Sequence, residues 1–162
     1  MRRLPWLALL LALLLAVAPV CAAPVFSAHV TKVVDGDSLE VKYAGKKIKL
    51  RLWGIDAPEM RQAYGKQARA RLAVMVNGRR VEVQAKDIDA YHRLVAVVSV
   101  DGQSVNEEMV RQGAAWVYPH YCREEICDTW RNLQDDARLA RRGLWANKKA
   151  IPPWRERRMT RP

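Results

Sequence analysis

Apolar and charged positions alternate one by one along residues 47–52. Ile48, Leu50 and Leu52 are apolar, while Lys47, Lys49 and Arg51 are charged. A period of two predicts a strand with one face on a core. The same phasing sends Arg51 to the face opposite the leucines, where a cleft can use it. Val81, Val83 and Ala85 alternate in the same way, and residues 94–100 form a more continuously apolar run. Upstream, residues 30–34 lead into the turn Asp35-Gly36-Asp37, with Leu39 and Val41 beyond it. Asp tolerates, and Gly supplies, the positive φ that tight reversals use. Ala44-Gly45-Lys46 marks the next reversal. Five short strands with one helical insertion predict an OB-type barrel.

The period changes to that of a helix in three places. Residues 65–76 place Ala68, Leu72, Met75 and Val76 on one face and stop at Asn77-Gly78. Ser104-Val105-Asn106-Glu107 has the spacing of a capping box and opens a second helix that stops at Gly113. A third follows Asp128, buries Trp130, Leu133, Ala137, Ala140 and Leu144, and is interrupted at Gly143. The expected fold class is therefore α+β, a five-stranded OB-fold β-barrel with three α-helices. No internal repeat is visible. Residues 148–162 are basic, contain Pro152-Pro153 and lack apolar periodicity, so they are expected to form a flexible tail.

Residues 1–23 stand apart from this pattern. Arg2-Arg3 make a positive start, residues 6–17 an apolar run, and Val20-Cys21-Ala22 a small-residue exit. That is the layout of a secretory signal cut after Ala22 or Ala23. A membrane anchor is the alternative, but Pro19 breaks a run already short of the ~20 residues that a span needs. Lipidation at Cys21 is a further alternative, and the bulk of Val20 counts against it. Export to the periplasm or outside the cell puts the rest of the chain, residues 24–147 with the tail, in an oxidising compartment. Cys122 and Cys127, with four residues between them, then pair as a disulfide. A zinc site would need more ligands than His120 beside them.

Charge narrows the partner. The formal net charge is +11, and losing Arg2 and Arg3 with the leader leaves +9. A small, exported, strongly basic domain suits a polyanion: nucleic acid, anionic lipid or cell-wall polymer.

Three fragments carry candidate chemistry: Asp35-Gly36-Asp37, the run from Arg51 through Asp56-Ala57-Pro58-Glu59, and Asp89-Ala90-Tyr91-His92-Arg93. Each has an ordinary reading. The first is a hairpin turn, and the second starts a helix with Asp as cap and Pro in the first turn. The arginines alone are solvated strand residues. Together they offer two carboxylates for a hard cation, a third to activate water, and two guanidiniums to clamp a phosphate.

In this order the set resembles the thermonuclease, or staphylococcal nuclease-like, family over residues 26–145. The resemblance implies that Asp37 and Asp56 bind a metal, Ca²⁺, with the backbone carbonyl of Ala57. It implies that Arg51 and Arg93 clamp phosphate, that Glu59 is the catalytic carboxylate, and that Tyr91 touches the substrate phosphate. Tyr118 and Tyr121 are candidates to stack bases. The implied activity is hydrolysis of DNA, with RNA as a second candidate, at little sequence preference and leaving 3′-phosphate ends. No stable protein partner is implied, and a monomer is expected. Two other classes remain open. A non-catalytic nucleic-acid-binding OB-fold module would not need Arg51, Glu59 and Arg93 beside both aspartates. A surface adhesin held through the basic tail would need none of the acids. The tail itself is read either as an electrostatic arm for nucleic acid or as a solvated terminus.

Overall fold

The computed structural model describes residues 24–160. Strands β1 (Val25–Val33), β2 (Ser38–Tyr43) and β3 (Lys46–Leu52) form an antiparallel meander. Helix α1 (Gly65–Val76) follows the short β4 (Ile55–Asp56), and β5 (Arg80–Ile88) and β6 (Leu94–Val100) complete the barrel. β5 pairs antiparallel with both β1 and β6, and a parallel β3–β6 seam closes the cylinder. The five-stranded barrel expected from the alternation is therefore present. Its interior is filled by alternating strand residues such as Val30, Leu39, Val41, Leu50, Val83 and Val98, all buried.

A two-residue strand β7 (Gln103–Ser104) leads into α2 (Val105–Arg111), whose start is the predicted capping box: the Ser104 side chain accepts from the Glu107 amide at 3.3 Å. Inside α2 the fully buried Asn106 staples the barrel seam. Its Oδ1 accepts from the Val98 amide at 2.9 Å, and its Nδ2 donates to the carbonyls of Trp53 at 2.9 Å and Ala96 at 3.2 Å. An amide is suited to this place because it offers donor and acceptor at once. The sequence marks Asn106 only as part of a cap.

Strand β8 (Trp116–Val117) pairs with β4, and α3 (Ile126–Leu139) covers that end of the barrel. α3 starts before Asp128, so that Cys127 lies in its first turn, and it ends at Leu139. Ala140, expected inside, is exposed because it caps the helix. Cys122 and Cys127 are disulfide-bonded and buried against the core. A loop this short is expected to contribute about 2 kcal/mol through the chain entropy it removes from the unfolded state. Thiol labelling of the native protein should find no free cysteine. A Cys122→Ala/Cys127→Ala double variant should unfold at a lower denaturant midpoint, and an unchanged midpoint would contradict that contribution.

The largest departure is at the C-terminus. A 3₁₀ turn (Gly143–Ala146) is followed by α4 (Pro153–Met159), where a flexible tail was expected. The expectation failed because α4 is held by non-local aromatic packing that no periodicity can reveal. Trp154 stacks on Tyr118, with centroids 4.9 Å apart and planes at 9°, and meets Trp116 edge-on at 5.9 Å. Trp116, Ala137, Leu144 and Trp145 form a second small core on which Ala150 and Trp154 rest. Among the described residues the three expected helices are therefore joined by a fourth, α4. The proposed leader, residues 1–23, lies outside the described residues. No helix among the described residues is long and apolar enough to cross a membrane.

Candidate active site

The site lies where the barrel seam meets the β4 turn. Asp37 sits just before β2, in a turn packed so tightly that a Cβ on Gly36 would lie 2.6 Å from the Ala57 Cβ and 2.8 Å from the Ala68 Cβ. Glycine is therefore required at position 36 for space. Its φ is not positive, which corrects the conformational reason expected from the sequence. Asp35 Oδ1 accepts from the Asp37 amide at 3.0 Å and sets the turn. Ser38 pairs with Arg51 across β2 and β3, which brings Asp37 beside Arg51.

Arg51 is not a solvated strand residue. Its side chain is 14% exposed and lies between two buried carboxylates. Nη1 pairs with Asp37 Oδ1, and Nη2 donates to Asp56 Oδ1 at 2.7 Å and to the Ile55 carbonyl at 3.3 Å. Burial pulls the Arg51 guanidinium below its ordinary pKa, against the pull of Asp56, yet an arginine starting so high stays charged. The β4 pairing with β8 holds Asp56 in place opposite Trp116. Asp56 is 1% exposed. The Ala57 amide donates to Asp37 Oδ2 at 2.7 Å, so this residue is joined to the aspartate turn through its N–H.

Glu59 stands at the rim with its side chain 48% exposed. Its amide donates to Gln62 Oε1 at 2.7 Å, fixing the entry to α1. Arg93 is aimed by Asp89, a residue the sequence reading left without a role. One Asp89 oxygen accepts from the amides of Tyr91 at 2.9 Å and Arg93 at 3.0 Å, and the other accepts from Arg93 Nε at 2.7 Å. Burial acts against the Asp89 carboxylate, but these bonds from Arg93 and Tyr91 outweigh it and hold its pKa below the ordinary value. Arg93 Nη1 also donates to Ser38 Oγ at 3.4 Å, and its guanidinium lies 5.4 Å from the Tyr91 ring. Tyr91 is 74% exposed. Tyr118 is half-buried with Trp154 on its ring, while Tyr121 is exposed.

Asp37, Arg51, Glu59, Tyr91 and Arg93 all line one open cleft of about 780 Å³. Asp56 lies beneath it, bonded to Arg51. Arg157 of α4 also lines this cleft, and nothing in the sequence pointed to it. The model of the family described as "Staphylococcal nuclease homologue" matches residues 49–147. The chain belongs to the staphylococcal nuclease family. Among relatives, an "Uncharacterized endonuclease" of Escherichia coli O157:H7 is 39% identical over 84% of this chain and 87% of its own length. A "Micrococcal nuclease" of Shigella flexneri is 34% identical, covering 84% of this chain and 83% of its own. The plant "Staphylococcal-like nuclease CAN1" of Arabidopsis thaliana is 38% identical across 72% of this chain but only 35% of its own. The staphylococcal nuclease match ends at residue 147, so α4 falls outside it.

Carboxylate oxygens are the donors a hard cation takes. Asp37 and Asp56 supply them at a place where positive charge is in demand, since guanidinium nitrogens already stand against both. Among the described residues no group of three or more His, Cys, Asp or Glu is arranged to hold a metal. A cation held by this pair would complete its sphere with water and phosphate oxygens.

Proposed function

We propose that this protein is an exported, Ca²⁺-dependent nuclease acting on DNA, with RNA as the second candidate substrate, at little sequence preference. Membership of the staphylococcal nuclease family makes it a phosphodiester hydrolase with nucleic acid as substrate. The observation that carries the finer reading is that Glu59, Arg51 and Arg93 face one cleft above two buried aspartates.

Asp37 and Asp56 are the residues to hold Ca²⁺, with Ala57 beside them through its backbone. When bound, such a cation would supply positive charge to a phosphate oxygen. Glu59, exposed at the rim, accepts a proton from the attacking water at its carboxylate. Arg93 presents a planar fork that matches phosphate oxygens, and Asp89 fixes its direction. Arg51 neutralises the aspartate pair and offers its remaining donors to the phosphate. Tyr91, exposed beside Arg93, is placed to touch the substrate at the mouth of the cleft. Preorganised donors of this kind stabilise the charge that grows on the phosphate in the transition state.

Export is supported by the leader pattern of residues 1–23 and by the Cys122–Cys127 disulfide, which persists in an oxidising compartment. β1 begins at Val25, directly after the proposed cleavage point. A non-catalytic binding module is disfavoured, because such a module has no use for a carboxylate at the rim of a cleft that Arg51 and Arg93 also line. The test is cleavage of plasmid DNA and of RNA by the purified mature protein with Ca²⁺, then with a chelator. Cleavage should stop with the chelator and return with added Ca²⁺. Undiminished cleavage in chelator would remove the metal from the reading.

A further inference from the structure

Both oxygens of Asp56 are taken. Arg51 holds Oδ1 at 2.7 Å, and Arg157 Nη2 holds Oδ2 at 2.7 Å. Arg157 Nη1 also donates to Glu59 Oε1 at 2.8 Å and to Asp56 Oδ1 at 3.4 Å. One guanidinium from the last helix therefore bridges the proposed metal ligand and the proposed base. A hard cation and a guanidinium compete for the same lone pairs, and their like charges repel at that distance.

The two arginines differ in how firmly they are held. Arg51 lies within β3, is 14% exposed, and has Asp37 and the Ile55 carbonyl as further partners. Arg157 is 37% exposed on a seven-residue helix near the end of the chain. α4 is fixed chiefly by Trp154 on Tyr118 and by the buried Pro153. Arg157 is the one that yields at lower cost.

We propose that α4 is an autoinhibitory latch: Arg157 occupies the Asp56–Glu59 pair in the metal-free protein, and Ca²⁺ binding displaces it. This rests on Asp56 being a metal ligand. The latch keeps Glu59 neutralised while no cation is present, and it lowers apparent Ca²⁺ affinity by the fraction of molecules open. A latch closed in about nine molecules of ten weakens that affinity about tenfold.

Isothermal titration of Ca²⁺ into the mature protein and its variants tests this without any turnover. Arg157→Gln should bind Ca²⁺ about tenfold more tightly than the unaltered protein. Arg155→Gln, on the exposed side of the same helix, should leave affinity unchanged. Trp154→Ala should tighten binding in the direction of Arg157→Gln by loosening the helix. Hydrogen exchange of the α4 amides in the unaltered protein should quicken as Ca²⁺ saturates. Equal or weaker binding by Arg157→Gln, or α4 exchange indifferent to Ca²⁺, overturns the latch. Asp56→Asn separates the two ideas. Its loss of Ca²⁺ binding, beside equal affinities of the other proteins, sinks the latch alone. Ca²⁺ binding that survives Asp56→Asn sinks the metal assignment and the latch with it.

Discussion

Arg51→Ala should destabilise the protein by about 3–5 kcal/mol, because it strips buried Asp37 of its guanidinium partner and leaves buried Asp56 to Arg157. Asp37 and Asp56 side chains are 7% and 1% exposed, so water cannot take over the role. The Ile55 carbonyl loses a donor as well. Activity should fall by about 10²–10³ beyond any loss through unfolding, the usual cost of one preorganised donor. Arg51→Lys keeps the charge but cannot serve Asp37 and Asp56 at once as the guanidinium does. It should fall between the two in both readouts. Denaturant midpoints, with initial rates measured well below them, check this. An Arg51→Ala protein as stable as the parent would mean that the two aspartates are solvated after all. The alternation of residues 47–52 sends Arg51 to the face away from the leucines, which alone suggests a replacement of little cost to stability. The burial of its partners reverses that expectation.

Glu59→Gln should do the opposite: remove activity and spare the fold. The carboxylate is half exposed, its side-chain partner among the described residues is Arg157, and glutamine is the same size. Surface changes of this kind move stability by about ±0.5 kcal/mol. Loss of a general base lowers turnover by about 10²–10⁴, and the glutamine amide cannot take the proton. Steady-state rates on DNA at saturating Ca²⁺, beside a thermal melt, give both quantities. Turnover equal to that of the parent would take Glu59 out of the reaction.

What could be read from the sequence divides by the range of the interactions. The strand at Ile48, Leu50 and Leu52 and the cap at Ser104 are local patterns, and the structure has both where they were expected. The fragments carrying Asp37, Asp56, Glu59 and Arg93 were visible as a set of residue types. Their meeting at one cleft, with Asp56 beneath it, required strand ends that pair across the barrel. Gly36 was legible as a turn residue but not as the contact point with Ala57 and Ala68, which belong to other elements. α4 was illegible. Trp154 needs Tyr118, and Arg157 needs partners 98 and 101 residues earlier. Seven residues with two arginines facing solvent show no stripe from which such docking could be inferred.

The seam that closes the barrel consists of three paired positions: Leu50 with Leu94, Arg51 with Val95, and Leu52 with Ala96. Arg51 belongs to it and Arg93 directly precedes it, so neither arginine faces the other until residues far apart in the chain have met. Pairings of that range are the slow ones to form. Until that seam is joined, an unfolded chain carries the residues of the site without the cleft they line.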